Sequence, residues 1–230
     1  GKPIIYVKNV RKVYRMGDEE VVALKRINLR IYKGEVCCIF GTSGSGKSTL
    51  LNQLAGMEKP TKGQVFIRGK NISDMNEEEL AAFRQEHMSF IFQSYNLLPS
   101  MTAVENVAMP LMFKGMDRKR REAMAEEMLK RVGLSHRLHH YPSQMSGGQQ
   151  QRAGIARAFV SRPEVVFADE PTGNLDTKTT AEIMDMVMGF ARRFNQTIIL
   201  VTHDPGMSRY ADRIVTLVDG VITGDERKGQ

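Results

Sequence analysis

The sequence contains no tryptophan, only two cysteines and eight prolines in 230 residues. It also lacks long apolar runs. The longest, such as TIILVT at 197–202, are strand-length and far short of the roughly 18–20 residues that cross a bilayer as a helix. The opening GKPIIYVKNVRKVY alternates like a strand and has no basic-then-apolar leader pattern. Cys37 and Cys38 are adjacent within an apolar strand, so no ordinary bridge joins them, and a disulfide scaffold gives way to a reducing compartment. The five histidines include HRLHH at 136–140, but no Cys or acid stands at ligand spacing, and a structural zinc site is set aside.

Charge of one sign is only mildly in excess: 33 basic against 26 acidic residues, a net +7. Such a balance admits nucleic acid or an anionic membrane surface as partner. No basic block is interleaved with aromatics, however. The densest charged run, DRKRREAMAEEMLKR at 117–131, mixes both signs and reads as a solvated helix face. What is present, 41% hydrophobic residues in 25.9 kDa, is enough to bury a core.

The first third is rich in strands, IIYVKNV, ALKRINLRI and QVFIRG, divided by turn signals such as MGDEE and TKG. An apolar strand EVCCIF (35–40) ends at Gly41, and helix KSTLLNQLAG follows with Leu50, Leu51 and Leu54 on one face and Gly56 as its stop. The middle turns helical. Asn76–Glu79 caps ELAAFRQEH, Thr102 and Glu105 form a capping box, and Pro110 should kink or end that helix. Asp117 caps the next helix and Gly133 ends it. The last third alternates: strand EVVFADE, helix AEIMDMVMGFARRF, strand TIILVTH, then hairpin RIVTLVDGVIT turning at Asp219-Gly220. Its methionines Met184, Met186 and Met188 read as core packing. Strand–helix alternation at both ends predicts a mostly parallel sheet covered by helices, with the helical middle as an inserted lobe.

GTSGSGKS at 41–48 is a complete G-x-x-x-x-G-K-[ST] element between a strand and a helix. Gly41, Gly44 and Gly46 let successive N–H groups aim at phosphate oxygens. The helix start adds its positive end, Lys47 supplies a point charge to the β- and γ-phosphates, and Ser48 offers a hydroxyl to Mg²⁺. Thr42, Ser43, Ser45 and Thr49 complete the predicted nucleotide contacts. VVFADEP at 165–171 places Asp169 at the carboxyl end of a buried strand, as a Mg²⁺ ligand or its water partner. Glu170, next in line, is placed to accept a hydrogen bond from the attacking water.

A third element is harder to explain within one chain. QMSGGQQQR at 144–152 opens a helix with Ser146, Gly147, Gly148 and Gln149, an anion-binding start with little apolar anchoring. One chain with its own phosphate cradle has no use for a second. Two copies arranged head to tail about a two-fold axis would each complete the other's site.

With these motifs in this order, the sequence resembles the ATP-binding cassette (ABC) family over essentially its whole length. MSGGQ is similar to the family signature, with Met145 where Leu is usual. The resemblance implies further roles. Gln93 in FQSYNLLP would ligate Mg²⁺ and sense a membrane partner, and Asp176 in GNLD would lie at the dimer seam. His203 in VTHD would contact the γ-phosphate, with Lys47 and Glu170 as its catalytic companions, and Tyr14 would stack on adenine. Tyr14 alone reads equally as a core or strand-surface aromatic, and stacking does not separate ATP from GTP. The implied fold is α/β, a P-loop NTPase (RecA-like) with a mostly parallel sheet core, an antiparallel β subdomain and an inserted α-helical subdomain. The expected organisation is a single cassette, 1–230, with 1–87 and 162–230 as nucleotide-binding core and 88–161 as the helical subdomain.

Within the family, chromosome-organising ATPases separate the two halves by long coiled coils, and ribosome-acting factors carry two cassettes on one chain; neither pattern is present. FQSYNLLPSMTAVENVAMPL and ADEPTGNLD look like the lipoprotein-release, macrolide-efflux and cell-division branch, with antimicrobial-peptide resistance ATPases close by. The expectation is an ATPase at the cytoplasmic face of the cell membrane, paired with itself or a second cassette and docked on an integral membrane permease, with no nucleic-acid partner. Few residues follow the last hairpin, which leans away from regulated uptake. The permease is expected near Gln93–Pro110, against Leu97, Leu98, Met101, Met109 and Met112.

Overall fold

A computed structural model describes residues 1–42 and 44–229; Ser43, one of the predicted phosphate contacts, lies outside them. In chain order the elements begin with β1 (Ile5–Met16), β2 (Glu19–Ile31), β3 (Val36–Phe40), α1 (Lys47–Leu54), β4 (Lys62–Ile67) and β5 (Lys70–Asn71). Next come α2 (Glu77–His87), β6 (Met88–Phe92), α3 (Ala103–Phe113), α4 (Arg118–Arg131) and α5 (Gly147–Val160). The chain closes with β7 (Val165–Asp169), α6 (Thr177–Arg193), β8 (Thr197–Thr202), β9 (Arg213–Val218) and β10 (Val221–Arg227).

The chain forms two compact units: residues 1–84 with 195–230, and residues 85–194. The first holds two sheets. One is antiparallel, in the order β2-β1-β4-β5. It is longer than its sequence signals, because β1 and β2 continue as a hairpin out to Met16 opposite Glu19. In the other sheet β3 runs parallel to both β8 and β9, and β10 pairs antiparallel with β9. A strand flanked and covered on both sides shows no alternation: all six residues of β8 and the first four of β3 are buried. Cys37 and Cys38 are therefore buried thiols outside any disulfide, and burial pushes Cys37 up to about 12. The predicted turn at Asp219-Gly220 is present, with both residues at positive φ, 48° and 77°.

In the second unit β6 and β7 pair in parallel, and α3, α4, α5 and α6 pack around the fully buried Leu111, Ile91 and Phe159. Phe167 stacks on Phe90 at 5.3 Å between ring centroids, and Phe159 on Phe190 at 5.1 Å. Met184 and Met188 are core residues, as expected, whereas Met186, read with them as core packing, is only half-buried. Two further details depart from expectation. Residues 88–92 form a strand, because pairing with β7 overrides the absence of any Gly or Pro break after α2. Of the two expectations for Pro110, ending α3 is not met, since the helix continues to Phe113; the ring removes one backbone hydrogen bond and packing supplies the rest.

Candidate nucleotide-binding site

In the first unit, β3 leads into the loop 41–46 and then α1. Gly46 is the N-cap residue of α1 at φ 100°, with no side-chain cap, and the first turn carries no acid. Every other α-helix starts on a side chain that accepts a backbone N–H: Asn76 for α2, Thr102 for α3, Asp117 for α4, Ser146 for α5 and Asp176 for α6. Among the described residues, α1 is the α-helix that starts without a side-chain cap, which leaves its first-turn donors open to an outside anion. Ser45 Oγ is buried in the same loop without a hydrogen-bond partner among them. Lys47 and Thr49 are half-buried at this helix start, while Thr42, Gly44 and Ser48 are exposed.

Tyr14, on β1, is half-buried, and its hydroxyl donates to Glu58 Oε2. Burial raises the phenol above its ordinary value, and Glu58 adds to this while a hydrogen bond with Thr49 works against it. The ring is thereby tied to α1 through Thr49, with Lys12 Nζ 5.2 Å from its centroid. Glu58 carries no sequence signal, being a lone acid after a helix stop. His203 follows β8 and is exposed. Beside it, Asp204 N–H donates to Thr202 Oγ1 at 3.0 Å, and Asp204 Oδ1 accepts from Gly206 N at 2.8 Å.

In the second unit, Asp169 ends β7 and Glu170 follows at φ 45°. A non-glycine residue in the left-handed region is strained by order 1–3 kcal/mol and persists only where the surroundings over-determine it. Those surroundings include a turn closed by Gly173 N to Glu170 O at 3.1 Å. They also include fully buried Gln151, whose Nε2 donates to Pro171 O. Gln93, just past β6, donates to Asn174 Oδ1 at 3.2 Å, and Asn174 Nδ2 returns a bond to Gln93 O at 3.3 Å. Its amide oxygen is the half left to act as a ligand. Asp176 caps α6 by accepting from Thr179 N at 2.7 Å, and that backbone bond holds its carboxyl below the usual carboxylate range.

The start of α5 is a closed capping box: Ser146 Oγ accepts from Gln149 N at 3.2 Å, and Gln149 Oε1 accepts from Ser146 N at 3.0 Å. The box leaves the N–H groups of Gly147 and Gly148, and the Ser146 hydroxyl proton, as outward donors. Met145, where Leu is usual, is buried beneath them as an apolar anchor.

Two clefts flank α3. One of about 250 Å³ is lined by Met101, Met109 and Met112, with Glu105 and Arg118 at its edge. Leu97 and Leu98 lie outside its lining. The other, about 330 Å³, is lined by Phe90, Phe92, Asn96, Pro110, Phe113 and Arg157 among others.

The sequence profile described as ABC transporter matches residues 24–173. An uncharacterised ABC transporter ATP-binding protein of Methanocaldococcus jannaschii is 48% identical over 219 residues, covering 95% of this chain and 97% of that protein. The macrolide export ATP-binding/permease protein MacB of a Shewanella species is 47% identical over 225 residues; they are 98% of this chain and 34% of that protein. This chain thus spans about a third of the MacB relatives' length. Among solved structures, a dimeric post-hydrolysis state of the ATP-binding cassette MJ0796 with ADP and Pi superposes with a TM-score of 0.90 at 42% identity, covering 97% of this chain and 98% of that one. An uncapped helix start after a glycine-rich loop, a strand-end Asp-Glu and an SGGQ helix start, on a fold shared with these proteins, identify the chain as a member of the ABC transporter family and its ATP-hydrolysing cassette.

Proposed function

We propose that the chain energises an integral membrane permease from the cytoplasmic face of the cell membrane, as one of two cassettes that close head to tail around ATP-Mg²⁺ and reopen on hydrolysis. The observation that carries this reading is the start of α5, whose remaining donors would form a second anion-binding surface in addition to the chain's own phosphate loop. In the proposed dimer Ser146, Gly147, Gly148 and Gln149 reach the γ-phosphate held by the other copy's loop 41–48. Lys47 and the first turn of α1 neutralise phosphate charge, Glu170 orients the attacking water, and His203 holds the γ-phosphate. Tyr14 stacks on the base, and Asp176 lies at the seam.

Ser48, Asp169 and Gln93 would hold Mg²⁺. Hydroxyl, carboxylate and amide oxygens are the hard donors this ion takes, with phosphate oxygens completing its shell. Bound there, the ion would neutralise charge on the β- and γ-phosphates.

The permease, expected against Leu97, Leu98, Met101, Met109 and Met112, is assigned instead to the 330 Å³ cleft of Phe90, Phe92, Pro110 and Phe113. Phe113 is 58% exposed, and Asn96 connects the cleft to the segment that carries Gln93. The resemblance to macrolide-export relatives supports an export or mechanotransmission role, with a macrolide, lipoprotein or antimicrobial peptide as the class of cargo.

Sedimentation of the Glu170→Gln chain, with and without ATP-Mg²⁺, tests the reading. The expected result is retained nucleotide binding, lost turnover and a nucleotide-dependent shift from one chain to two. Hydrolysis at the parental rate would remove Glu170 from its role. A chain that binds ATP and never pairs would refute self-pairing of the shared site.

A further inference from the structure

One stripe of α5 lies against the segment that follows β6. Gly147, Gly154 and Arg157, spaced seven and three residues apart, share a helix face. A Cβ on Gly147 would stand 2.9 Å from the Tyr95 hydroxyl, and one on Gly154 would stand 3.7 Å from the Tyr95 carbonyl oxygen. The close approach is at Gly147, where a Cβ would crowd the Tyr95 hydroxyl; at Gly154 a Cβ would make only an ordinary van der Waals contact. At the end of the stripe the Arg157 guanidinium forks: Nη1 donates to Asn96 O at 2.7 Å, and Nη2 to Tyr95 O at 2.9 Å.

The segment that Arg157 grips is strained. Tyr95 and Asn96 have φ of 61° and 54°, two consecutive non-glycine residues in the left-handed region. Such a pair persists only where neighbours impose it. A fork that binds both carbonyls is suited to that, since the guanidinium presents two donors in fixed geometry. Burial lowers the Arg157 pKa, so the cation is held in this place at a desolvation cost.

We propose that Arg157 and Tyr95 are positioning residues for the start of α5: through the conformation of residues 93–96 they set how Ser146–Gln149 is presented to a second chain's nucleotide. The proposal rests on the reading of Ser146–Gln149 given above. The arrangement has two further contacts in the same unit. Gln93 at one end of the segment exchanges hydrogen bonds with Asn174, in the turn before α6. Asn96 and Arg157 at the other end line the 330 Å³ cleft assigned to the permease. A permease segment entering that cleft meets the fork itself. The Tyr95 hydroxyl against Gly147 carries any movement of the fork to the first turn of α5.

The test uses the full chain in the Glu170→Gln background, with Arg157→Lys, which keeps the charge and loses the fork, and Tyr95→Phe, which deletes one oxygen. Three quantities are measured: amide hydrogen exchange of the nucleotide-free chain, ATP-Mg²⁺ affinity of the single chain, and ATP-driven dimerisation by sedimentation. For Arg157→Lys, exchange at Gly147–Gln150 rises about tenfold, nucleotide affinity stays within about twofold, and dimerisation weakens about tenfold. Tyr95→Phe shifts exchange and dimerisation the same way by a smaller factor, and it keeps the test decisive if Arg157→Lys folds poorly. Faster exchange spread evenly over α3, α4 and α5 marks a purely structural role and overturns the proposal. So does a parent that pairs while both variants pair equally well, and in that case the shared-site reading stands. A parent that binds ATP-Mg²⁺ and never pairs overturns the shared-site reading itself, and the proposal falls with it.

Discussion

Gly46 shows how much one residue type settles. At φ 100° its added Cβ would lie 2.7 Å from the Ala23 carbonyl oxygen, so Gly46→Ala combines a left-handed alanine with a backbone clash. We expect a loss of about 2 kcal/mol or more, seen as a lower melting temperature, together with weaker ATP binding on titration. Lys47 and Ser48 were legible in the sequence because motif, strand and helix are contiguous. The strain at Glu170 was not, since a side chain's identity does not report its backbone angle. Tyr14 was half legible: its place on a strand could be read, its hydroxyl bond to Glu58 across 44 residues could not.

At the scale of elements, helix caps were the most readable feature because each is written within four residues. The box expected at Thr102–Glu105 is formed; the one at Ser146–Gln149, read from the sequence only as an anion-binding helix start, is shown by the structure. What supports α3 was not readable. Asn106 is fully buried; its Nδ2 donates to Leu98, Met101 and Thr102 carbonyls and its Oδ1 accepts from Leu98 N at 2.8 Å. It therefore ties the 98–102 loop to the helix. Asn106→Leu leaves Leu98 N and Met101 O without this partner, while the Leu98 and Thr102 carbonyls keep the backbone N–H groups of Met101 and Asn106, and a loss of about 2–3 kcal/mol is expected in denaturant titration. If stability is unchanged, the loop is held by other contacts. A lone Asn on an apolar helix face gives no cue to this role, because its partners belong to a loop of irregular backbone.

At the scale of the molecule, the first unit is closed by ion pairs whose members lie far apart in the chain. Arg213, 5% exposed, donates from Nε and Nη2 to both Asp225 oxygens at 2.7 Å, and also to Glu35 and the Arg30 carbonyl. The hydrogen bond from Arg213 holds Asp225 below the usual carboxylate range. A carboxyl with a depressed folded value contributes stability above its unfolded value, about 3.9, and loses it as pH falls through the lower folded one. The melting temperature should therefore fall below about pH 4, and less steeply in Asp225→Asn. The second expectation concerns assembly. Ser146→Arg should leave single-chain ATP binding within about twofold and abolish ATP-driven pairing; an unaltered dimer in sedimentation would remove Ser146 from the shared site.

The sequence alone determined the chemistry class. A phosphate loop, a strand-end Asp-Glu and an SGGQ helix start are each carried by contiguous residues, and their order specifies an ATP-binding cassette before any fold is known. The alternating elements likewise determined an α/β architecture, because periodicity is a local property. The tertiary structure decided how these pieces are held. Met88–Phe92 became a strand by pairing with β7. Gln93 met Asn174 across 81 residues, and Arg157 gripped Tyr95 across 62. Such contacts depend on loop closure and packing, which bring together residues whose separation along the chain contains no record of their approach.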